Sequence, residues 1–215
     1  MKLGYGEVIM SLSMVILTAL AVLIFFGVLQ RVLDRMYLTD RQALLITFLM
    51  FVGTLLPDVS LGPVLVNLGG AVIPVGVCIY LLIRCDEGRE RIRALLGSVL
   101  TGAAIFGITK LLPPEAEELP VDPMLLYGLA GGVIAWVIGR SRRGAFICGV
   151  LGMILADVAT GVMVRMQGAS QQLVLGGAGV ADAVVLSGVF GVIVAEIVGE
   201  ITERIVRRKK RRETP

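Results

Sequence analysis

One pattern constrains this chain more than any other: apolar segments near membrane-span length alternate with short, arginine-bearing loops. A helix needs about 20 apolar residues to cross a hydrocarbon core about 30 Å thick. Stretches of that kind, some of them short, run from about Val8 to Leu29, Ala43 to Leu56 and Leu68 to Ile83. Four more cover Ala94 to Leu112, Met124 to Gly139, Ala145 to Val164 and Gly179 to Val198. In a chain of 215 residues this leaves little room for a soluble domain. The composition agrees: 56% of residues are hydrophobic and 17% charged, against about 45–50% and about 25% in soluble domains. The sequence therefore predicts an all-α membrane protein of about seven transmembrane helices. It forms a single membrane domain over 1–206, followed by a basic tail, 207–215. The first segment follows Lys2 as a signal peptide would, but its apolar run exceeds an h-region of about 7–15 residues. We expect a retained helix.

The loops give the orientation. Arg31, Arg35 and Arg41 separate the first two segments, and Arg84, Arg89, Arg91 and Arg93 follow the third. Arg140, Arg142 and Arg143 follow the fifth, and Arg207 to Arg212 form a run of six cations after the seventh. The intervening loops carry few cations. By the positive-inside rule the N-terminus lies outside and the C-terminus in the cytoplasm.

Absences narrow the chemistry. The chain has no histidine, which excludes Ser-His hydrolysis, His-ligated haem and most zinc enzymes. Cys78, Cys85 and Cys148 form no C-x-x-C pair, so no metal site and no cofactor is expected. The net charge of +3 comes mostly from the tail and gives no reason to expect nucleic acid. The expected partners are the lipid bilayer and, at the tail, anionic headgroups, at about 1 kcal/mol per cation near the surface. An oligomer is compatible with the sequence.

Two decapeptides align without gaps. Gly53, Leu56, Asp58, Val59 and Gly62 match Gly152, Leu155, Asp157, Val158 and Gly161, and Leu68-Gly-Gly-Ala71 returns as Leu175-Gly-Gly-Ala178. The alternative is chance matching in a Gly-, Ala-, Leu- and Val-rich chain. Read as duplication, the alignment predicts a 3+1+3 parallel repeat, with halves about 8–84 and 124–204 and a linker helix 94–112. That plan is known among transporters, SWEET-type carriers included.

Three carboxyls, Asp58, Asp157 and Asp182, fall at membrane depth or at its edge, in the outer half by residue count. A charge in the core costs about 2.5–3.5 kcal/mol on insertion scales, so such groups usually face the protein interior or water. The plainer reading makes Asp58 and Asp182 helix N-caps. Around them the chain is apolar yet rich in Gly and Pro, over Leu61 to Pro74 and Leu175 to Asp182. Irregular backbone is tolerated at that depth only when packed in protein or lining a cavity. Asn67 and Ser187 could supply neutral oxygens there. Gly128 and Gly132 form a GxxxG helix-packing face, and Glu196 is a candidate inner gate.

Asn67-Leu-Gly-Gly-Ala-Val-Ile-Pro74, with Gly176-Gly-Ala-Gly-Val-Ala-Asp182 and Gly188, resembles the domain-of-unknown-function 1614 family. The resemblance implies a prokaryotic multi-pass membrane protein, hence a cytoplasmic (inner) membrane location, and supplies no reaction.

Three functions compete. The first is a small transporter or proton- or cation-coupled permease, with Asp58, Asp157 and Asp182 as the binding acids and Asn67 and Ser187 nearby. Carboxyls sharing a low-dielectric site favour proton binding, which suits coupling. The second is an intramembrane aspartyl protease with Asp157 and Asp182 as the catalytic pair. Gly177 to Asp182 loosely resembles the GxGD motif of presenilin-like enzymes, but Val-Ala precedes the aspartate where that motif has Leu-Gly. Asp157 also follows Ala rather than Tyr. The third is a non-catalytic scaffold or partner subunit. The topology is testable directly: cysteines placed at Gly6 and Thr214 should react with an impermeant maleimide from opposite sides of the membrane. Labelling from one side would mean a wrong span count.

Overall fold

The computed structural model describes residues 26–34, 36, 38–85, 87–111, 123–168 and 172–213, without the side chains of 123–125 and 203–213. The first expected span, from 8 to 29, lies outside these residues except for 26–29. The loop from Glu115 to Asp122 also lies outside them. The chain divides into two compact units, Met1–Thr47 and Phe48–Pro215. The first contains helix α1 (26–34) and the start of α2 (Asp40–Leu55). The second carries the rest.

After α2 come two short strands, β1 (Val59–Leu61) and β2 (Val64–Val66), then one π-helical turn, Leu68–Val72, that runs into α3 (Ile73–Ile83). Helices α4 (Gly88–Leu111), α5 (Pro123–Gly139) and α6 (Arg142–Met166) follow. Strand β3 (Leu173–Leu175) and a 3-10 turn, Gly179–Ala181, lead into α7 (Ala183–Glu213). Among the described residues three helical stretches are long and apolar enough to cross a membrane: Gly88–Leu111, Arg142–Met166 and Ala183–Thr202. Leu68–Ile83 and Leu126–Gly139 are shorter apolar helices. The fourth segment starts earlier than its apolar run because Arg89, Glu90, Arg91 and Arg93 are good helix formers and do not end the helix.

Helix α6 touches α4, α5 and α7, while α3 packs on α6. The approach is close because small residues line the seams. A β-carbon at Gly149 would sit 2.6 Å from the Ser187 carbonyl oxygen, and one at Gly132 would sit 2.6 Å from Cβ of Phe190. Gly128, the other half of the GxxxG pair, meets Leu186 at 2.8 Å. The expected packing role of that motif is therefore visible in α5 and α7. The outward faces are apolar instead of polar: Ile92, Leu95, Leu96, Val99 and Leu100 on α4 are all exposed. That inversion of the soluble pattern suits a hydrocarbon surround.

One end of this unit is closed by arginine and serine. Arg91 donates through Nε to the Leu82 carbonyl (2.9 Å) and through Nη2 to those of Cys85 (3.2 Å) and Ile83 (3.5 Å). This satisfies the open C-terminus of α3 and complements its dipole. Ser141 caps α6 by accepting from the Gly144 N–H at 2.9 Å, and donates to Glu90 Oε1 at 2.6 Å. Arg142 pairs with Glu196. Burial pushes the Cys85 thiol, in the α3–α4 turn, above its ordinary pKa.

The packing predicts a contrast. Gly149→Val should lower the unfolding temperature in detergent, at about 1–3 kcal/mol for an overpacked seam. Gly107→Ala, which meets nothing within 4 Å, should leave that temperature unchanged or raise it slightly. Equal effects would mean that close approach at Gly149 is unimportant.

Candidate functional site

Asp58, Asn67 and Asp182 lie where the sheet meets the starts of α3 and α7. Helix α2 stops at Leu55, ahead of Pro57, and the chain turns through Asp58 into β1. Gly62, at φ +65°, opens the two-residue turn to β2, a left-handed position that glycine takes freely. Strand β2 pairs antiparallel with β1 and parallel with β3, Val66 opposite Leu175. Two further bonds close the seam: the Asn67 N–H donates to the Leu175 carbonyl, and the Leu173 N–H to that of Pro63, both at 3.0 Å.

Asn67 is buried, and both ends of its amide are used. Its Nδ2 donates to Asp58 Oδ1 at 2.8 Å, and its Oδ1 accepts from the Gly70 N–H at 2.9 Å. It therefore ties the hairpin to the π-helical turn. Asp58 itself is exposed, and its hydrogen bond goes to Asn67.

Opposite, the segment before α7 runs against the π-helical turn at backbone distance. A β-carbon at Gly70 would lie 2.3 Å from the Gly176 carbonyl oxygen. Gly176 and Gly179 also hold positive φ, +70° and +62°. Thr54 locks the arrangement: its Oγ1 donates to the Met50 carbonyl at 2.8 Å and accepts from the Val180 N–H at 3.1 Å. Sequence reasoning passed over Thr54. The available signal was a hydroxyl one residue from Gly53 in an apolar helix end.

Asp182 is buried and stands between the 3-10 turn and α7. Its Oδ2 accepts from the Ala178 N–H at 3.1 Å and its Oδ1 from the Val184 N–H at 2.9 Å. The capping alternative is thus realised: the carboxylate satisfies one donor of the loop and one of the four open donors of the helix. Asp157 lies within α6, about 14 Å before its C-terminal end at 1.5 Å per residue. It is half-buried. Helix α6 packs on α7, the helix that Asp182 caps. No hydrogen bond to its carboxyl is formed among the described residues.

Asp58 and Asn67 form a pair at the hairpin, and Asp182 is held by two backbone donors ahead of α7. Ser187 stands apart from both. It is fully buried on α7, its Oγ has no hydrogen-bond partner, and a β-carbon at Gly131 would lie 2.4 Å from it. The aligned decapeptides also part company: 152–161 stays helical throughout, whereas 53–62 leaves the helix after Leu55 and enters β1. Leu68 to Ala71 is π-helical, but Leu175 to Ala178 ends a strand and turns. Among the described residues no group of three or more Cys, Asp or Glu is arranged to hold a metal ion.

The Asp182 geometry predicts that Asp182→Ala speeds amide exchange at Ala178 and Val184 and costs about 1–3 kcal/mol. Asp182→Asn, which keeps one accepting oxygen, should fall between this variant and the native chain. Unchanged exchange at both amides would mean the two bonds do not form.

A family model described as protein of unknown function (DUF1614) matches residues 24–194. No curated protein and no solved structure matches the chain.

Proposed function

The chain belongs to the DUF1614 family of proteins of unknown function, and from that premise we propose that it is a small proton- or cation-coupled transporter. Asp157 is the group that takes up the ion. The observation that supports this reading is a carboxyl inside a membrane-length helix that has no hydrogen bond among the described residues, on the helix packed against the one whose start a second carboxyl caps with two backbone N–H bonds. A fixed acceptor beside a free one makes a site where a proton or small cation is stabilised by both.

The protease reading asks the two carboxyls for the same proton sharing and adds a water between them; no observation favours it over the carrier. The capping bonds of Asp182 are also what a scaffold would need, so that reading stands as an outcome of the test.

In this proposal seven helices cross the inner membrane of a prokaryotic cell, with the sheet end outside and the arginine-bearing end in the cytoplasm. The basic tail then meets anionic headgroups. Asp58 and Asn67 shape the outer loop and leave ion uptake to Asp157. The repeat is not needed for this mechanism.

Purified protein in liposomes tests the reading. The native chain should move protons or monovalent cations down a pH gradient, and Asp157→Asn should reduce that flux by on the order of tenfold or more. Its unfolding temperature should hold or rise, since the substitution removes a charge near Asp182. Native-like flux in Asp157→Asn, or none in the native protein, would leave the scaffold. Cleavage of a transmembrane reporter would restore the protease.

A further inference from the structure

Helix α6 is held at its start from two sides. Ser141 and Arg142 are neighbours in the chain and reach different helices. Ser141 donates to Glu90 Oε1 on α4 at 2.6 Å, and Arg142 pairs with Glu196 on α7. Two carboxylates from two helices thus converge on the N-terminus of α6, the end where the helix dipole favours negative charge. Without Glu196, Arg142 would stand there with the wrong sign.

The way α6 meets α7 changes along their length. A β-carbon at Gly149 would lie 2.6 Å from the Ser187 carbonyl oxygen, and one at Gly191 would lie 3.1 Å from that of Ala145. About one turn further toward the start of α6, Arg142 and Glu196 meet through long side chains instead. Backbone contact has given way to a side-chain bridge. On the other flank α4 reaches the α5–α6 turn in the same manner. Arg93 Nη2 donates to the Gly139 carbonyl at 3.5 Å, a long hydrogen bond. The sheet end is built differently. There β2 pairs with β3, the Asn67 N–H donates to the Leu175 carbonyl, and Gly70 lies against Gly176. Separating that end would break backbone pairing, whereas the arginine end is joined by side chains. Arg142 and Glu196 are 42% and 29% exposed, so water replaces either partner when the pair parts, and such pairs are weak.

We propose that the arginine end is a moving gate. The links from the start of α6 to Glu90 and Glu196 part to open that side and re-form to close it, while the sheet end stays shut in that step. This rests on the transport reading above. Helix α6 is continuous from Arg142 to Met166, so a shift at its start is carried along the rod to the segment that holds Asp157.

Cross-linking decides between a moving gate and a static brace. In liposomes, the double variant Arg142→Cys, Glu196→Cys should carry proton flux and lose nearly all of it once a short bis-methanethiosulfonate joins the two positions. Dithiothreitol, which cuts the link, should restore it. The native chain, whose three cysteines are buried, should be indifferent to the reagent. A static brace tolerates the link, so undiminished flux in the cross-linked protein would overturn the gate and leave the transport reading intact. Absence of flux in the native protein would overturn both. A second measurement needs no flux. Cys148 is buried against α4, its Sγ donating to the Ala94 carbonyl at 3.4 Å. In the double variant Glu90→Ala, Glu196→Ala, N-ethylmaleimide should modify Cys148 several-fold faster than in the native chain, read by peptide mass, at a near-native unfolding temperature. A native rate in that folded variant would likewise overturn the gate.

Discussion

Every backbone N–H and C=O at membrane depth must find its partner inside the protein, because hydrocarbon offers none and an unsatisfied group costs several kcal/mol. The helices meet this condition by themselves. The non-helical segments 56–67 and 172–182 cannot do so alone wherever they lie, and much of the polar chemistry around them is devoted to them. Strands β1, β2 and β3 pair with one another. Asn67 serves the N–H of Gly70, Asp182 those of Ala178 and Val184, and Thr54 that of Val180. The polar side chains of this end are therefore backbone partners first, and any ion chemistry is built on a loop they already hold.

Close approach follows from the same condition. Without a hydrophobic force between helices in lipid, association depends on contact, and small residues let backbones come near. The glycines at 70, 149 and 179 leave no room for a β-carbon: at Gly179 it would lie 2.1 Å from the Thr54 methyl. That closeness places the Thr54 hydroxyl within reach of Val180, and at Gly149 it sets α6 directly against the α7 backbone.

The apolar helices were legible because span length and arginine-rich loops leave a strong signal in composition. The expected start of the seventh at Gly179 moved to Ala183, since two positive-φ glycines and the Asp182 cap hold the chain in a turn until then. The hairpin was hidden: Val59 to Val66 reads as apolar loop, and a strand three residues long carries no usable periodicity. Asp182 was legible as a cap and Asp157 as a buried acid, because each follows from local sequence. What Asn67 does was not, since its two partners sit nine residues before and three after it. The matching decapeptides show the limit of identity as evidence, for five shared residues took up helix in one copy and helix, turn and strand in the other.

Capping accounts for Asp182 and not for Asp157. Asp182 has two amide donors, and Asn or Ser would also cap α7 there. Asp157 caps nothing. It lies inside α6, where aspartate is a poorer helix former than alanine, and it is taken partly out of water. Each of these terms is unfavourable, and no hydrogen bond among the described residues offsets them. In the transport reading proposed above, the partner that offsets this cost comes from outside the fold, as an exchangeable proton or cation does.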